Sequence, residues 1–498
     1  MRLAIIFTLV ACAWAAPPRV DKVEPPSWWK ESRWGPVRVM LSGANLKGAS
    51  VEVPGATKIR YSERGDYLWF TVDLAPQTAG KHRWAVRNAE GSSRFAFELM
   101  PHSLGPARRS GLRESDLIYL AMPDRFFNGD SSNDDPAISR GLFRPGSPRG
   151  YHGGDLSGVI QKLDYLVDLG VSVLWLTPWY DNGNRLDGTK YDGIESTDYH
   201  GYGAIDFYAV DEHFGSVETI RELVQRKGRT LRIMQDQVAN HTGPLHPWVK
   251  APPLPNWYHE HKPCNWQIWT QLQPTLDPAA YRGMESGWFG NLLPDLNQEE
   301  PEVETYLIQN ALWWVGVTGI ELIRQDTVPY APVSFWAKWN RALHAEFEGI
   351  ETLGEVLDED PLLVSMFQRG QAGFDSVFDF PLAFALRKMF SAAGGGFEAS
   401  KVLVKDSLYS RPEKLVTFLG LHDMSRFSAT WTQRREAFTK LFQQRGVPLI
   451  YYGDEIGLAG GEDPDNRRDM PWTQQSPEAE GLRKHVRELA MERRRAKR

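Results

Sequence analysis

Three carboxylates stand at the ends of apolar runs: Asp326 in Gly319-Ile-Glu-Leu-Ile-Arg-Gln-Asp326, Glu355 in Thr352-Leu-Gly-Glu355, and Asp423 in Thr417-Phe-Leu-Gly-Leu-His422-Asp423. Each run reads as a buried parallel strand, and each acid falls where the strand opens into a loop. At that end of an α/β barrel, groups from several strands converge on one site. Two acids that reach one bond are what glycoside hydrolysis requires, roughly 5–5.5 Å apart when anomeric configuration is retained. Arg324 lies two residues before Asp326, so on a strand it points to the same side. A guanidinium fixed there predicts a lowered pKa for Asp326.

The elements that must position these groups are legible in the texture of the chain. Eight apolar runs, at 117–122, 171–176, 231–238, 319–326, 350–356, 376–381, 415–421 and 448–452, alternate with helical patterns. That alternation predicts an α/β fold, a TIM-type (β/α)8 barrel rather than an open doubly wound sheet. No glycine-rich phosphate fingerprint follows the first run, which argues against a dinucleotide fold. Before the barrel, residues 20–99 carry short period-two runs separated by Gly, Pro and Asn, the pattern of an antiparallel β-sandwich. One connection, 241–297, is long, rich in Trp and Pro and without periodicity; it reads as a subdomain inserted after the third strand.

Bulk properties narrow the class. With 498 residues, two or three structural units are expected. A net charge of −6 gives no basic face for nucleic acid. The 19 Trp and 17 Tyr suit a carbohydrate ligand, since indole faces stack on sugar rings. Arg2, the apolar run 3–11 and the small residues around Ala13-Trp14-Ala15 read as an export signal over 1–15, implying a periplasmic or secreted protein without a transmembrane segment. Leu9-Val10-Ala11-Cys12 also resembles a lipoprotein signal with Cys12 as anchor. Cys12 and Cys264 are the only cysteines, so the mature chain is expected to hold no internal disulfide.

Asp236-Gln-Val-Ala-Asn240-His241, Arg324-Gln-Asp326-Thr327, Gly354-Glu355-Val356, His422-Asp423 and Leu293-Pro-Asp-Leu-Asn297 resemble the short segments of the α-amylase family of glycoside hydrolases, within its cyclomaltodextrinase, neopullulanase and maltogenic-amylase group. Val23-Glu-Pro-Pro-Ser-Trp-Trp29, Met122-Pro-Asp-Arg-Phe126 and Asp463-Pro-Asp-Asn-Arg-Arg468 resemble that group too. The resemblance implies an immunoglobulin-like sandwich at 17–102, a barrel at 103–240 and 298–498, and subdomain 241–297; the expected absence of the C-terminal β-domain that relatives carry departs from it, as a truncation or an unusual natural form. It implies a retaining hydrolase of α-1,4-glucosidic bonds in cyclomaltodextrins, maltooligosaccharides, pullulan or starch, with a transglycosylase or a catalytically impaired glucan-binding protein as rivals. Asp326 matches the nucleophile, Glu355 the acid/base and Asp423 the third acid. Partial burial near other negative groups predicts a raised pKa for Glu355. Tyr202, His241, His422, Arg324 and Asp236 match substrate-binding positions. Asn128, Asp130, Asn133, Asp134, the Gly153 carbonyl and Asp155 match a structural Ca²⁺ site, whose oxygen-rich loop suits a hard cation. A homodimer through the N-terminal domain is also implied.

Three residues depart from the pattern. Leu322 stands where relatives carry Gly, and extra volume there must be matched by a smaller neighbour. Gln325 replaces an apolar residue facing the helices, where an unpaired amide is costly. Leu421 replaces Asn before His422-Asp423.

Overall fold

The structure, a computed structural model, describes residues 16–106, 111–186, 188–191, 193–228, 231–390, 398–473 and 475–497. The expected export signal at 1–15, with Cys12, lies outside the described residues. Contacts divide the chain after His102 into two compact units.

The first unit is built of strands. Val37–Ala44, flanked by Arg19–Glu24 and Tyr67–Val72, forms one antiparallel four-stranded sheet that Ala56–Tyr61 completes. Gly80–Asn88 and Gly91–Met100 form the centre of a second, with Ser27–Trp29 joining Gly91–Met100 in parallel. Alternation does what it should: along Gly91–Met100, Phe95, Phe97 and Leu99 are buried while Arg94, Ala96 and Glu98 face out. Phe70 of the first sheet lies 6.3 Å, centroid to centroid, from Trp84 and from Phe95 of the second. The two inner faces therefore share one aromatic core.

In the second unit eight parallel strands form the barrel: β1 (Ile118–Ala121), β2 (Val173–Leu176), β3 (Arg232–Gln237), β4 (Leu322–Gln325), β5 (Glu351–Gly354), β6 (Ser376–Val377), β7 (Val416–Phe418) and β8 (Val447–Tyr451). The sheet runs in chain order, β8 pairs with β1, and a single parallel bridge between Phe378 and Val416 joins β6 to β7. β2, β4, β5 and β8 are buried at every residue, because one face meets the barrel interior and the other the helices. That is why β2 and β8 read as unbroken apolar runs, whereas β4 and β5 carry buried polar groups such as Arg324 and Glu351. The expected strand at 376–381 stops early. Asp379 caps the helix Phe380–Met389 by accepting from Leu382 N at 3.1 Å, and Pro381 suits the first helical turn.

Two connections are elaborate. Between β2 and the helix Val217–Arg226, Tyr180–Asn182 pairs antiparallel with Ala204–Val210, bringing Tyr199–Tyr202 over the barrel mouth. After β3, residues 241–297 hold only short helices and isolated bridges, including His241 with Asp295. Cys264, Ile268 and Met284 of this segment form a small core with Tyr330 and Leu363.

Candidate active site

The mouth of the barrel is organised by one guanidinium. Arg324, on β4 and fully buried, places Nη1 2.7 Å from both Asp236 Oδ1 and Asp326 Oδ1, and Nη2 2.7 Å from Glu355 Oε1. Asp236 sits directly across the ladder from Arg324. Its other oxygen accepts from Trp175 Nε1 and Tyr202 OH, both at 2.9 Å. Glu355, one residue beyond β5, accepts from Thr327 N at 3.1 Å. Thr327 adopts φ +50°, which turns that N–H toward the acid. From β7 come His422 and Asp423, with His422 Nε2 2.7 Å from Tyr202 OH and 3.0 Å from Asp423 Oδ2. Arg467 holds the other Asp423 oxygen at 3.0 Å and donates to the His422 carbonyl.

Above these groups lies a cavity of about 310 Å³, lined by Asp326, Glu355, Asp423, Tyr202, His241 and His422. Trp266, Phe289, Tyr330, Leu357, Phe380, Leu421 and Met424 supply apolar walls. Trp266, Phe289 and Tyr330 pack edge to face, their centroids 4.3–5.6 Å apart. His241 Nε2 is buried without a hydrogen-bond partner, so a ligand hydroxyl entering here would satisfy it.

Electrostatics separate the acids. Burial pushes Glu355 up to about 7, against the pull of Arg324 and with help from the charges of Asp326 and Asp423. Burial likewise raises Asp236, to about 8. Asp326 is raised by burial, while Arg324 opposes through its charge and hydrogen bond. The lowered pKa expected for Asp326 from Arg324 alone is therefore corrected: desolvation outweighs the guanidinium. At Asp423, whose side chain is half exposed at the mouth, the balance reverses; its partial desolvation is overcome by His422, Arg467 and Arg324, which hold it well below the usual carboxylate range. His241 is pulled down to about 4 by burial and is neutral at pH 7.

Residues 120–494 match the family described as alpha amylase, catalytic domain, and 22–102 match cyclomaltodextrinase, N-terminal. The chain belongs to the α-amylase family. A cyclomaltodextrinase of Geobacillus thermopakistaniensis is 32% identical over 74% of this chain and 60% of its own length. A β/α-amylase of Paenibacillus polymyxa is 31% identical over 71% of this chain and 28% of its own. The chain thus spans less than two thirds of these curated relatives. Among solved structures, an Anoxybacillus α-amylase is 35% identical with TM-score 0.67, covering 77% of this chain and 79% of that one. A Geobacillus thermoleovorans α-amylase complexed with acarbose is 34% identical with TM-score 0.65, covering 78% and 80%.

All eight residues singled out for catalysis and substrate binding in this α-amylase-family chain meet at the mouth. Sequence reasoning missed the partners: Trp175, which holds Asp236, the aromatic wall, and Arg467. Arg467 lay within Asp463–Arg468, a segment quoted for its resemblance but given no role; a basic residue there was the available signal. Leu322 is fully buried, and Gln325 donates to the Asp326 carbonyl at 3.2 Å while its own oxygen stays buried and unpartnered. Leu421 lines the cavity.

The oxygen-rich loop belongs to the first βα connection. Asp155 caps the helix Leu156–Gln161: Oδ1 accepts from Gly158 N, and Oδ2 from Gly129 N and Asp130 N at 3.1 and 2.8 Å. It shapes the loop with both oxygens. Asp130 Oδ1 accepts from the Ser132 amide and hydroxyl. Asn133 Oδ1 is buried without a partner, and Asp134 Oδ1 meets Asn128 Nδ2 at 2.8 Å. A Cβ at Gly153 would lie 2.7 Å from each of those last two atoms. Among the described residues no cluster of three or more His, Cys, Asp or Glu side chains is set to hold a metal. A cation here would draw on the Asn128, Asn133 and Gly153 oxygens together with the Asp130 and Asp134 carboxylates, a donor set that fits Ca²⁺.

Proposed function

We propose that this protein is a retaining glycosidase of α-1,4-glucans, with cyclomaltodextrins, maltooligosaccharides, pullulan and starch as the candidate substrates. The carrying observation is that Asp326 and Glu355 share one guanidinium at the floor of a cavity that Asp423 also lines. In this reading Asp326 attacks the anomeric carbon while Glu355, its pKa raised to about 7, gives its proton to the departing glycosidic oxygen. Glu355 then removes a proton from the water that cleaves the glucosyl-Asp326 ester. Asp423, held ionised by Arg467 and His422, would accept hydrogen bonds from hydroxyls of the distorted sugar. His241 and Tyr202 would contact the same ring. Two measurements test this. NMR of fresh digests of maltotetraose should show the α-anomer first, and a 5-fluoroglucosyl fluoride should lose its anomeric fluoride and add one 5-fluoroglucosyl mass at Asp326. A β-anomer product, or labelling elsewhere, overturns the reading.

The apolar walls favour a second outcome of the same intermediate, transfer to sugar, because they hold sugar faces better than water. Longer oligomers from concentrated maltotriose would mark transfer, and only shorter ones hydrolysis.

Three further parts of the proposal rest on the sequence. The protein acts after export, directed by 1–15 or anchored at Cys12, which the intact mass of the cell-derived chain tests. It associates through its N-terminal domain, which sedimentation tests. A Ca²⁺ held by Asn128, Asp130, Asn133, Asp134, the Gly153 carbonyl and Asp155 would tie down the first βα loop.

A further inference from the structure

Asp423 reaches the cavity from a turn. Met424 N donates to the Leu421 carbonyl at 3.2 Å, so residues 421–424 form a β-turn whose central pair is His422 and Asp423. The peptide that joins this pair makes no hydrogen bond inside such a turn, and its orientation is therefore set from outside. Arg467 Nε meets its carbonyl from one side. The rest of the hold comes from Asn466, in the short turn Asp465–Arg467 that follows β8. Asn466 Nδ2 donates to the His422 carbonyl at 2.7 Å and to the Met424 carbonyl at 2.9 Å, one on each side of Asp423.

This clamp is anchored on its far side. The Asn466 carbonyl accepts from Arg426 Nε at 2.9 Å and from Tyr451 OH at 3.3 Å, and Arg426 Nη1 in turn holds Asp454 at 3.0 Å. At the outer end of the loop, Arg387 Nη2 from the helix Phe380–Met389 donates to the Ser425 carbonyl at 2.9 Å. Asn466 is 0% exposed, so no sugar can touch it. Its own Oδ1 is buried without a partner, which costs stability. An apolar side chain of the same shape would fill the space without that cost. What the amide adds is the pair of N–H bonds to the carbonyls that flank Asp423.

We propose that Asn466 is a positioning residue for the third acid: by fixing the peptides on either side of Asp423, it aims that carboxylate at the sugar hydroxyls in the transition state. The proposal rests on the glycosidase reading. Asn466→Leu keeps the branched shape and loses both donors. With α-maltosyl fluoride as substrate, the folded variant should lose about 10–100-fold in kcat with KM within about twofold, since a misplacement near 1 Å costs that much and the contacts affected tighten in the transition state. The same substitution in an Asp423→Asn background should cost less than about twofold, because residues that act through one another are not additive. General damage to the fold would cost the same in both. Parental kcat in Asn466→Leu, or equal losses in the two backgrounds, overturns this proposal alone, with Asp423→Asn still impaired. Asp423→Asn at parental kcat overturns the glycosidase reading along with it. Should Asn466→Leu fail to fold, Asn466→Asp, of unchanged shape and without N–H donors, carries the same cycle, and parental kcat there overturns the proposal equally.

Discussion

Replacing Arg324 by Met removes the one cation that Asp236, Asp326 and Glu355 share while keeping most of the buried volume. The guanidinium is 2.7 Å from an oxygen of each acid and has no exposure to solvent. An opposite charge at that range favours the ionised carboxylate by about 1–3 pKa units. Its loss raises both Asp326 and Glu355, by about 1.4–4 kcal/mol each. Activity needs Asp326 ionised and Glu355 protonated. The acid limb of kcat/KM is set by the first and the alkaline limb by the second. Both limbs should therefore move to higher pH together, by about 1–3 units. A variant that merely misplaces the acids would lower the plateau and leave the limbs where they were. The assay is kcat/KM for a chromogenic maltoside across the pH range, with near-UV circular dichroism at each point. Folding should also weaken, by about 3–5 kcal/mol near neutrality. The raised acids hold protons that the unfolded chain releases near pH 4, so the deficit grows as pH rises. A folded Arg324→Met enzyme with unmoved limbs, or limbs displaced to lower pH, refutes the reasoning.

Other outcomes follow from single contacts. Glu455 is buried, accepts from Tyr119 and Tyr165 hydroxyls at 2.9 and 2.6 Å, and is pushed by burial up to about 7. The folded protein thus binds a proton there that the unfolded chain loses near pH 4.3. Glu455→Gln should gain stability relative to the parent between pH 5 and 8, by up to roughly 3 kcal/mol; a Tm difference independent of pH would contradict this. If Ca²⁺ occupies the first βα loop, chelation should lower Tm by the equivalent of roughly 2.7 kcal/mol measured from a hundredfold excess over Kd, and Asp134→Ala should abolish the response. Trp266, 55% exposed at the cavity rim, should matter for binding rather than chemistry. Trp266→Ala is expected to raise KM about fivefold at constant kcat, and a loss confined to kcat would place it elsewhere.

How much of this was legible follows from what each signal depends on. β2 and β8 are buried on both faces, so each announces itself as an apolar run whatever its neighbours are. Gly91–Met100 announces itself by alternation, because one face is wet. The acids were readable because a strand end is a local event, and so was the shared side of Arg324 and Asp326. Other features were not readable. The strand pair Tyr180–Asn182 with Ala204–Val210 has register irregularities, and its first member is too short to show a pattern. The end of β6 at Val377 was hidden because Phe378 and Phe380 continue the apolar run into a helix whose start is fixed by an aspartate cap.

The pKa of Asp326 shows the boundary most sharply. The sequence by itself determined that a cation accompanies this acid, since two residues along a strand always share a face. It could not determine how dry the acid is, because burial is a sum over groups from β2, β3, β5 and β7 and the loops above them. The same holds for Arg467, which reaches Asp423 from 44 residues away in the chain, and for Asn466, which holds the carbonyls on either side of that acid. Spacing decides which groups lie on one element; only the closed barrel decides which elements face each other, and with that the solvation and charge that set the chemistry.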